Sequence, residues 1–239
     1  MANPKQVGAG LHQRLFARAF AAFDTATQKH IAFVSLDAGM GGIVLKNRVV
    51  AGLAERGLSM YTDDNLAVSG THTHSGPSGF LQDVIFQFSG SGWVPSVLDA
   101  MVAGVVESVA MAHSNLAPGE ARVAVGKLAG ANLNRSPTAY LMNPAEERAM
   151  YPDGDTDHNM TLLRLTRTEG NVSVGAFNWF AVHPTSMNNT NTMVSGDNKG
   201  ERMCWWRWWL GGVCEVVCSS SSAFQEGGCR GTPFERTVP

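Results

Sequence analysis

Cysteine is absent from the first 200 residues; all four, Cys204, Cys214, Cys218 and Cys229, fall in the last 36. The main body is therefore not a disulfide scaffold and must be held by an ordinary core. Charge is also scarce. Asp, Glu, Lys and Arg make up 16% of the chain, against roughly a quarter in typical domains. The net charge is −2, and no basic stripe is present, which excludes nucleic acid as an expected partner. No apolar run approaches the ~20 residues of a membrane helix. The opening Met-Ala-Asn-Pro-Lys-Gln lacks the basic and then apolar regions of a secretory leader. The expectation is either a cytosolic chain or a true N-terminus that lies elsewhere.

What is present suits a folded body. Hydrophobic residues make up 44% of 239, enough for one good-sized domain, or for a domain plus a tail. A compositional break falls near Gly200-Glu201. Beyond it lie every cysteine and four of the six tryptophans, Trp205, Trp206, Trp208 and Trp209. The expected division is a domain over residues 1–200 and an aberrant, irregular Cys/Trp-rich tail over residues 201–239. The tail's cysteine spacings have no CxxC pair or adjacent His to support a metal knuckle or disulfides. It is read as unrelated sequence. Covering an apolar face, or lying at a membrane surface, are its alternative roles.

Within the body, strand and helix patterns mix. Residues 30–37 form an apolar, β-branched run that predicts a buried strand. The Gly-rich turn Gly39-Met-Gly-Gly42 follows, then helical spacing over 43–58 through Ile43, Val44, Val49, Val50 and Leu53. Residues 66–71 predict a second strand. Residues 94–113 predict a long helix with Val97, Leu98, Met101, Val102, Val105 and Val106 on one side. Strands are expected at 121–128, 161–166 and 172–182, the last two joined as a hairpin across Glu169-Gly170-Asn171. This predicts an α/β fold around a mixed sheet.

The sharpest chemical element is Ser69-Gly-Thr-His72-Thr-His74-Ser-Gly-Pro-Ser-Gly79. In an extended strand, positions i and i+2 share a face, so His72 and His74 aim two imidazoles at one spot. Imidazole is the commonest protein metal ligand, and catalytic zinc sites take about three protein ligands plus an open position. The following glycines would let backbone N–H groups approach a ligand. The alternative is a polar strand end with two solvated histidines. His183, in Asn178-Trp-Phe-Ala-Val-His183-Pro, is a candidate third ligand arriving from a distant strand; the alternative is a backbone-bonded strand-end histidine. Arg135, in Asn132-Leu-Asn-Arg135-Ser-Pro, is a permanent cation that could bind carbonyl or oxyanion oxygens, or a solvated surface arginine. Asp197, in Ser195-Gly-Asp197-Asn198, is either a site carboxylate or, with Asn198, a helix N-cap. His12, His30, His113 and His158 have no partner spacing and are read as structural or solvated.

Taken in order, Leu36-Asp-Ala-Gly-Met-Gly-Gly, Leu45-Lys-Asn-Arg-Val, Ser69-Gly-Thr-His-Thr-His-Ser-Gly-Pro, Asn134-Arg-Ser-Pro, Tyr140-Leu-Met-Asn-Pro144, Val182-His-Pro-Thr-Ser-Met-Asn-Asn and Ser195-Gly-Asp-Asn resemble the neutral ceramidase family. The resemblance implies a mixed α/β catalytic domain, incomplete in this chain. It also implies zinc-dependent hydrolysis of the N-acyl bond of ceramide to sphingosine and fatty acid. His72 and His183 would be metal ligands holding Zn2+, and His74 and Arg135 catalytic-pocket residues touching the substrate. The family completes its zinc site with a Glu and a Tyr further on, and uses a serine in Gly-Asp-x-Ser-Pro-Asn; no such motif occurs here. The chain is therefore expected to be impaired. A ceramide-type sphingolipid is the expected partner, with membrane-surface contact as a second. The family is secretory, and Asn159-Met-Thr, Asn171-Val-Ser and Asn188-Asn-Thr are glycosylation acceptors in that setting. The alternatives are an inactive fragment, or a zinc amidohydrolase acting on another N-acyl substrate.

Overall fold

A computed structural model describes residues 5–200 and the backbone of a strand at Cys214–Cys218. The rest of the tail, and with it the expectation of irregular structure there, lies outside the described residues.

The organising element is β3 (Lys29–Leu36). It pairs antiparallel with β2 (Ala17–Asp24) and parallel with β4 (Leu66–Gly70), giving the mixed sheet β2-β3-β4. Between β3 and β4 the chain crosses over through α1 (Ile43–Glu55), as a parallel pair requires. Alternation along β3 sends Ala32, Val34 and Leu36 into one core and Phe33 into another, so the strand is covered on both faces. The first core is closed by α1 and by α3 (Pro95–Ser114), through Leu45, Val49 and Leu53 and through Leu98, Val105, Val106 and Val109.

The helical reading of α1 holds, but its inward stripe is Leu45, Val49 and Leu53, at i, i+4 and i+8; Ile43 is 67% exposed. In α3, a Pro in the first turn starts the helix. At 20 residues with mean hydropathy 1.4, α3 is long and apolar enough to span a membrane by length and composition, which corrects the expectation that no stretch approaches this. It packs against β2 and α1 as a core helix.

A second sheet runs β5 (Gly119–Lys127), β6 (Asn159–Arg167), β7 (Val172–Phe180), β9 (Cys214–Cys218). The expected β6–β7 hairpin is present, closed by a 3-10 turn at Glu169–Asn171. Strand β9 is parallel to β7. The two sheets meet through aromatics: Phe177 lies against Phe20 and Phe33, with ring centroids 4.0 and 5.0 Å away, and Trp179 joins them. Finally, β1 (Gly10–Leu11) pairs parallel with β8 (Met193–Val194), which brings the N-terminal segment against the 190s. The fold is thus helices on a mixed sheet, backed by a second sheet.

Candidate functional site

The site forms where chain leaves the carboxyl ends of β3 and β4, the usual ligand position for parallel strands in open α/β sheets. From β3 the chain enters the loop 37–42. Asp37 is buried there and ion-paired with Arg18 at 2.7 Å. Its other oxygen accepts the Phe16 N–H at 2.9 Å, which satisfies the charge on both sides, as a buried carboxylate needs. The loop after β4 packs directly on this one. A Cβ at Gly70 would stand 2.7 Å from Met40 Cα and 2.9 Å from Ala38 O, so only glycine fits. The Thr71 N–H donates to Leu36 O and the His72 N–H to Ala38 O, at 2.8 and 2.9 Å.

His72 and His74 do not lie on a strand. Strand β4 ends at Gly70, and His72 takes a left-handed backbone, φ +71°, uncommon for a residue with a side chain. The two imidazoles approach each other through this loop turn rather than through strand alternation. His183 likewise lies past the end of β7 at Phe180. Of the downstream glycines, Gly79 is needed for packing: it has φ +86°, its ideal Cβ would meet Val94 Cγ2 at 2.7 Å, and its carbonyl accepts the Val94 N–H.

The three rings nevertheless converge. Centroids of His72 and His74 are 5.1 Å apart, of His72 and His183 4.5 Å, and of His74 and His183 4.6 Å. One nitrogen from each lies within 4.8 Å of the others, so the set could hold a metal ion. His72 Nδ1 is 2.5 Å from Gly39 O. A carbonyl only accepts, so Nδ1 carries a proton; in the neutral ring that leaves the lone pair on Nε2, the backbone-fixed tautomer common among metal-binding histidines. His74 Nε2 and His183 Nε2 are 2.8 Å apart, one donating to the other. Burial, then the neighbouring His72, then other positive charge including Arg135, hold the His74 pKa below its ordinary value. The same causes, with His74 and Lys199 added, push His183 down to about 4. Both rings are neutral at pH 7, as metal ligands must be.

Arg135 is exposed on the loop after β5, near enough for its charge to act on both His74 and His183. Asn132 anchors this loop. Buried, it donates to Asp157 O at 2.8 Å and to Ala181 O at 2.9 Å, tying the arginine loop to the segment carrying His183. Tyr140 is engaged elsewhere, its hydroxyl donating to Arg148 O.

Asp197 is not a helix cap. Its carboxylate accepts N–H bonds from Ser186 and Met187, both at 3.0 Å, and from Asn198. Burial pushes its pKa up, against those three donors. The sequence offered Asp197 as a site carboxylate or a cap and gave Asp37 no role of its own; the Ser186 and Met187 N–H groups on Asp197 and the Arg18 side chain on Asp37 are partners that only the fold brings together. His12 contacts Ser195 Oγ, His158 contacts Thr156, and His30 and His113 pack around Tyr61, consistent with their structural reading.

The N-terminal model of the neutral/alkaline non-lysosomal ceramidases matches residues 1–213. The chain belongs to this ceramidase family. The match passes the compositional break at residue 200. The chain is 48% identical over 199 residues to the neutral ceramidase of Drosophila melanogaster, covering 83% of this chain and 28% of that protein. It is 44% identical to neutral ceramidase 1 of Arabidopsis thaliana, again over 83% of this chain and 25% of the relative. The neutral ceramidase of Pseudomonas aeruginosa superposes with TM-score 0.85 at 32% identity, over 92% of this chain and 35% of that structure. A ceramidase complexed with C2 gives TM-score 0.84 over the same share. The chain thus spans about a quarter of the length of these curated ceramidases, and its mixed α/β fold is theirs.

Proposed function

We propose that this chain carries the His-rich part of a zinc site that hydrolyses the N-acyl bond of ceramide to sphingosine and a fatty acid. The observation that carries this reading is the convergence of His72, His74 and His183 within 4.8 Å, the last two held below the ordinary histidine pKa, in a chain of ceramidase family. Three imidazoles are a borderline-soft donor set that suits zinc. His72 and His183 would hold the ion, with Gly39 O orienting the first. When bound, zinc supplies Lewis acidity towards an amide carbonyl and towards water.

The chain's own residues do the rest. Neutral His74 sits beside the two ligands, 5.1 and 4.6 Å from their ring centroids, and can hold or pass a proton at Nε2, close to a reacting amide. Arg135 offers a fixed cation to substrate oxygens. To hold an ion at Nε2, His183 would have to give up its hydrogen bond with His74, in which one of the two Nε2 atoms carries the shared proton. Apolar Val84, Ile85 and Phe88 stand exposed on the short helix α2 (Val84–Gly90) that follows the His loop. They support a lipid substrate and contact with a membrane surface. Exposure of Asn159, Asn171 and Asn188 supports a secretory setting.

The Glu, Tyr and Ser motifs that the family resemblance calls for do not occur in the sequence. Weak zinc retention and little turnover are therefore proposed for the 239 residues alone. Zinc analysis and hydrolysis of a fluorescent ceramide, run on the same preparation, test this. Weak retention that disappears in His72→Ala is expected. Failure to retain zinc at any concentration would overturn the metal reading. Stoichiometric zinc with rapid turnover would overturn the impairment.

A further inference from the structure

The site draws its histidines from two loops far apart in sequence: His74 and His183 are 109 positions apart. Neither loop is part of a regular element, so the spacing of the rings must be set by something that touches both. One short segment, residues 195–198, does so. Towards the His72/His74 loop, Thr73 Oγ1 donates to Ser195 O at 2.8 Å, and the Ser195 N–H donates to Ser75 O at 3.0 Å. Towards the His183 loop, the Asp197 carboxylate takes the Ser186 and Met187 N–H groups, one on each oxygen. Asn198 Nδ2 adds a bond to His183 O at 3.3 Å.

The segment is itself held from behind. The Gly196 N–H donates to Gln13 Oε1 at 3.2 Å, and the β1–β8 pairing fixes that N-terminal stretch. A Cβ at Gly196 would meet Gly200 Cα at 2.8 Å and Asp37 Cγ at 3.4 Å, so the segment also rests on the buried Asp37 side chain. Asp197 is 3% exposed and left-handed, φ +57°. A strained, buried carboxylate persists only where its surroundings over-determine it.

We propose that Asp197 is a positioning residue: through segment 195–198 it sets the distance between His183 and His74, and thereby the geometry offered to a metal ion. The role in metal binding rests on the zinc reading above; the role in ring spacing does not. In Asp197→Asn one acceptor oxygen becomes a donor, so the Ser186 or Met187 N–H faces an NH2 group and the His183 loop is released. Thr73→Val cuts the brace on the opposite side without a change of shape. Val105→Ala, in the helix core, serves as a variant that only destabilises.

Zinc affinity and the visible spectrum of the cobalt-substituted full chain are measured, together with the histidine ring-nitrogen NMR signals of the metal-free chain. Loss of a partner that orients ligands typically costs 10–100-fold in metal affinity. Asp197→Asn is expected to lose about tenfold or more, with an altered cobalt spectrum and a weakened His74–His183 signal. Thr73→Val follows in the same direction by less, and Val105→Ala melts earlier with affinity and spectrum intact. If Asp197→Asn does not fold, Thr73→Val decides. Wild-type affinity, spectrum and ring signals in the folded brace variants would overturn the proposal. If the wild type binds neither zinc nor cobalt, the metal reading fails, and the metal-free ring signals alone decide the brace.

Discussion

Among the described residues the histidines form two clusters, and only one of them converges. At one end His30, Tyr61 and His113 pack ring against ring, with centroids 5.6 to 5.8 Å apart. At the other, His72, His74 and His183 lie 4.5 to 5.1 Å apart. The distances differ little; the nitrogens differ greatly. His113 Nδ1 is taken by the Tyr61 hydroxyl at 3.0 Å, and His30 Nδ1 is buried with no hydrogen-bond partner. Among the described residues, only the second cluster brings three donor atoms together. The reason is the backbone. His30 sits on β3 and His113 in the last turn of α3, where regular geometry dictates direction. His72, His74 and His183 sit past strand ends, where a left-handed residue and a brace can turn rings inward.

The sharpest way to break the comparison is to delete one ring from each. His72→Ala and His183→Ala should reduce zinc affinity by about 100-fold or more, because each removes a ligand outright rather than a supporting partner. His113→Ala should leave zinc affinity unchanged and lower the melting temperature. Zinc titration with a competing chelator, beside thermal melts, checks both. Equal zinc loss in all three would mean that the clusters are not distinct.

Much of this was legible beforehand, and what was not is instructive. The buried strand, both long helices and the hairpin follow from hydrophobic period, which survives because burial imposes it. His72, His74 and His183 were found as candidates by residue type. Their geometry was not, since strand alternation placed them on one face whereas a loop does it. Asp37 looked like one motif letter. Its meaning needs Arg18, nineteen positions earlier, and no periodicity links two residues that meet across β2 and β3.

That pair sharpens the comparison by undercutting one cluster alone. Arg18→Met leaves Asp37 buried and unpaired, which typically costs about 3–5 kcal/mol. It also loosens the loop whose Gly39 carbonyl orients His72. Chemical denaturation should show the loss of stability, and zinc affinity should fall with it. The Tyr61–His113 contact lies on another part of the fold and should persist until global unfolding.

Acid should also separate the two ends. Burial and neighbouring positive charge hold His183 at about 4 and His74 below its ordinary value. A lowered histidine pKa means that the unfolded chain binds the proton first. The penalty these two rings place on the metal-free fold is therefore absent above about pH 6.5, the unfolded value, and grows as the pH falls from there towards 4. In His183→Ala that slope should flatten in equilibrium unfolding measured at several pH values. Zinc should shift the loss to lower pH, because the ion competes with protons for the same nitrogens. A slope unchanged by His183→Ala would place the acid sensitivity elsewhere.

The smallest expected effect lies in the cluster that does not converge. Tyr61→Phe removes one hydroxyl from a buried ring and leaves His113 Nδ1 without it. A neutral hydrogen bond of this kind contributes about 1 kcal/mol net, and the stranded imidazole nitrogen can still rotate towards solvent from its half-buried position. A fall of about 1 kcal/mol in unfolding free energy, with zinc affinity untouched, is therefore expected. A change in zinc affinity would instead show that the two ends are coupled through α3 and the sheet, and that the second cluster helps to set the first.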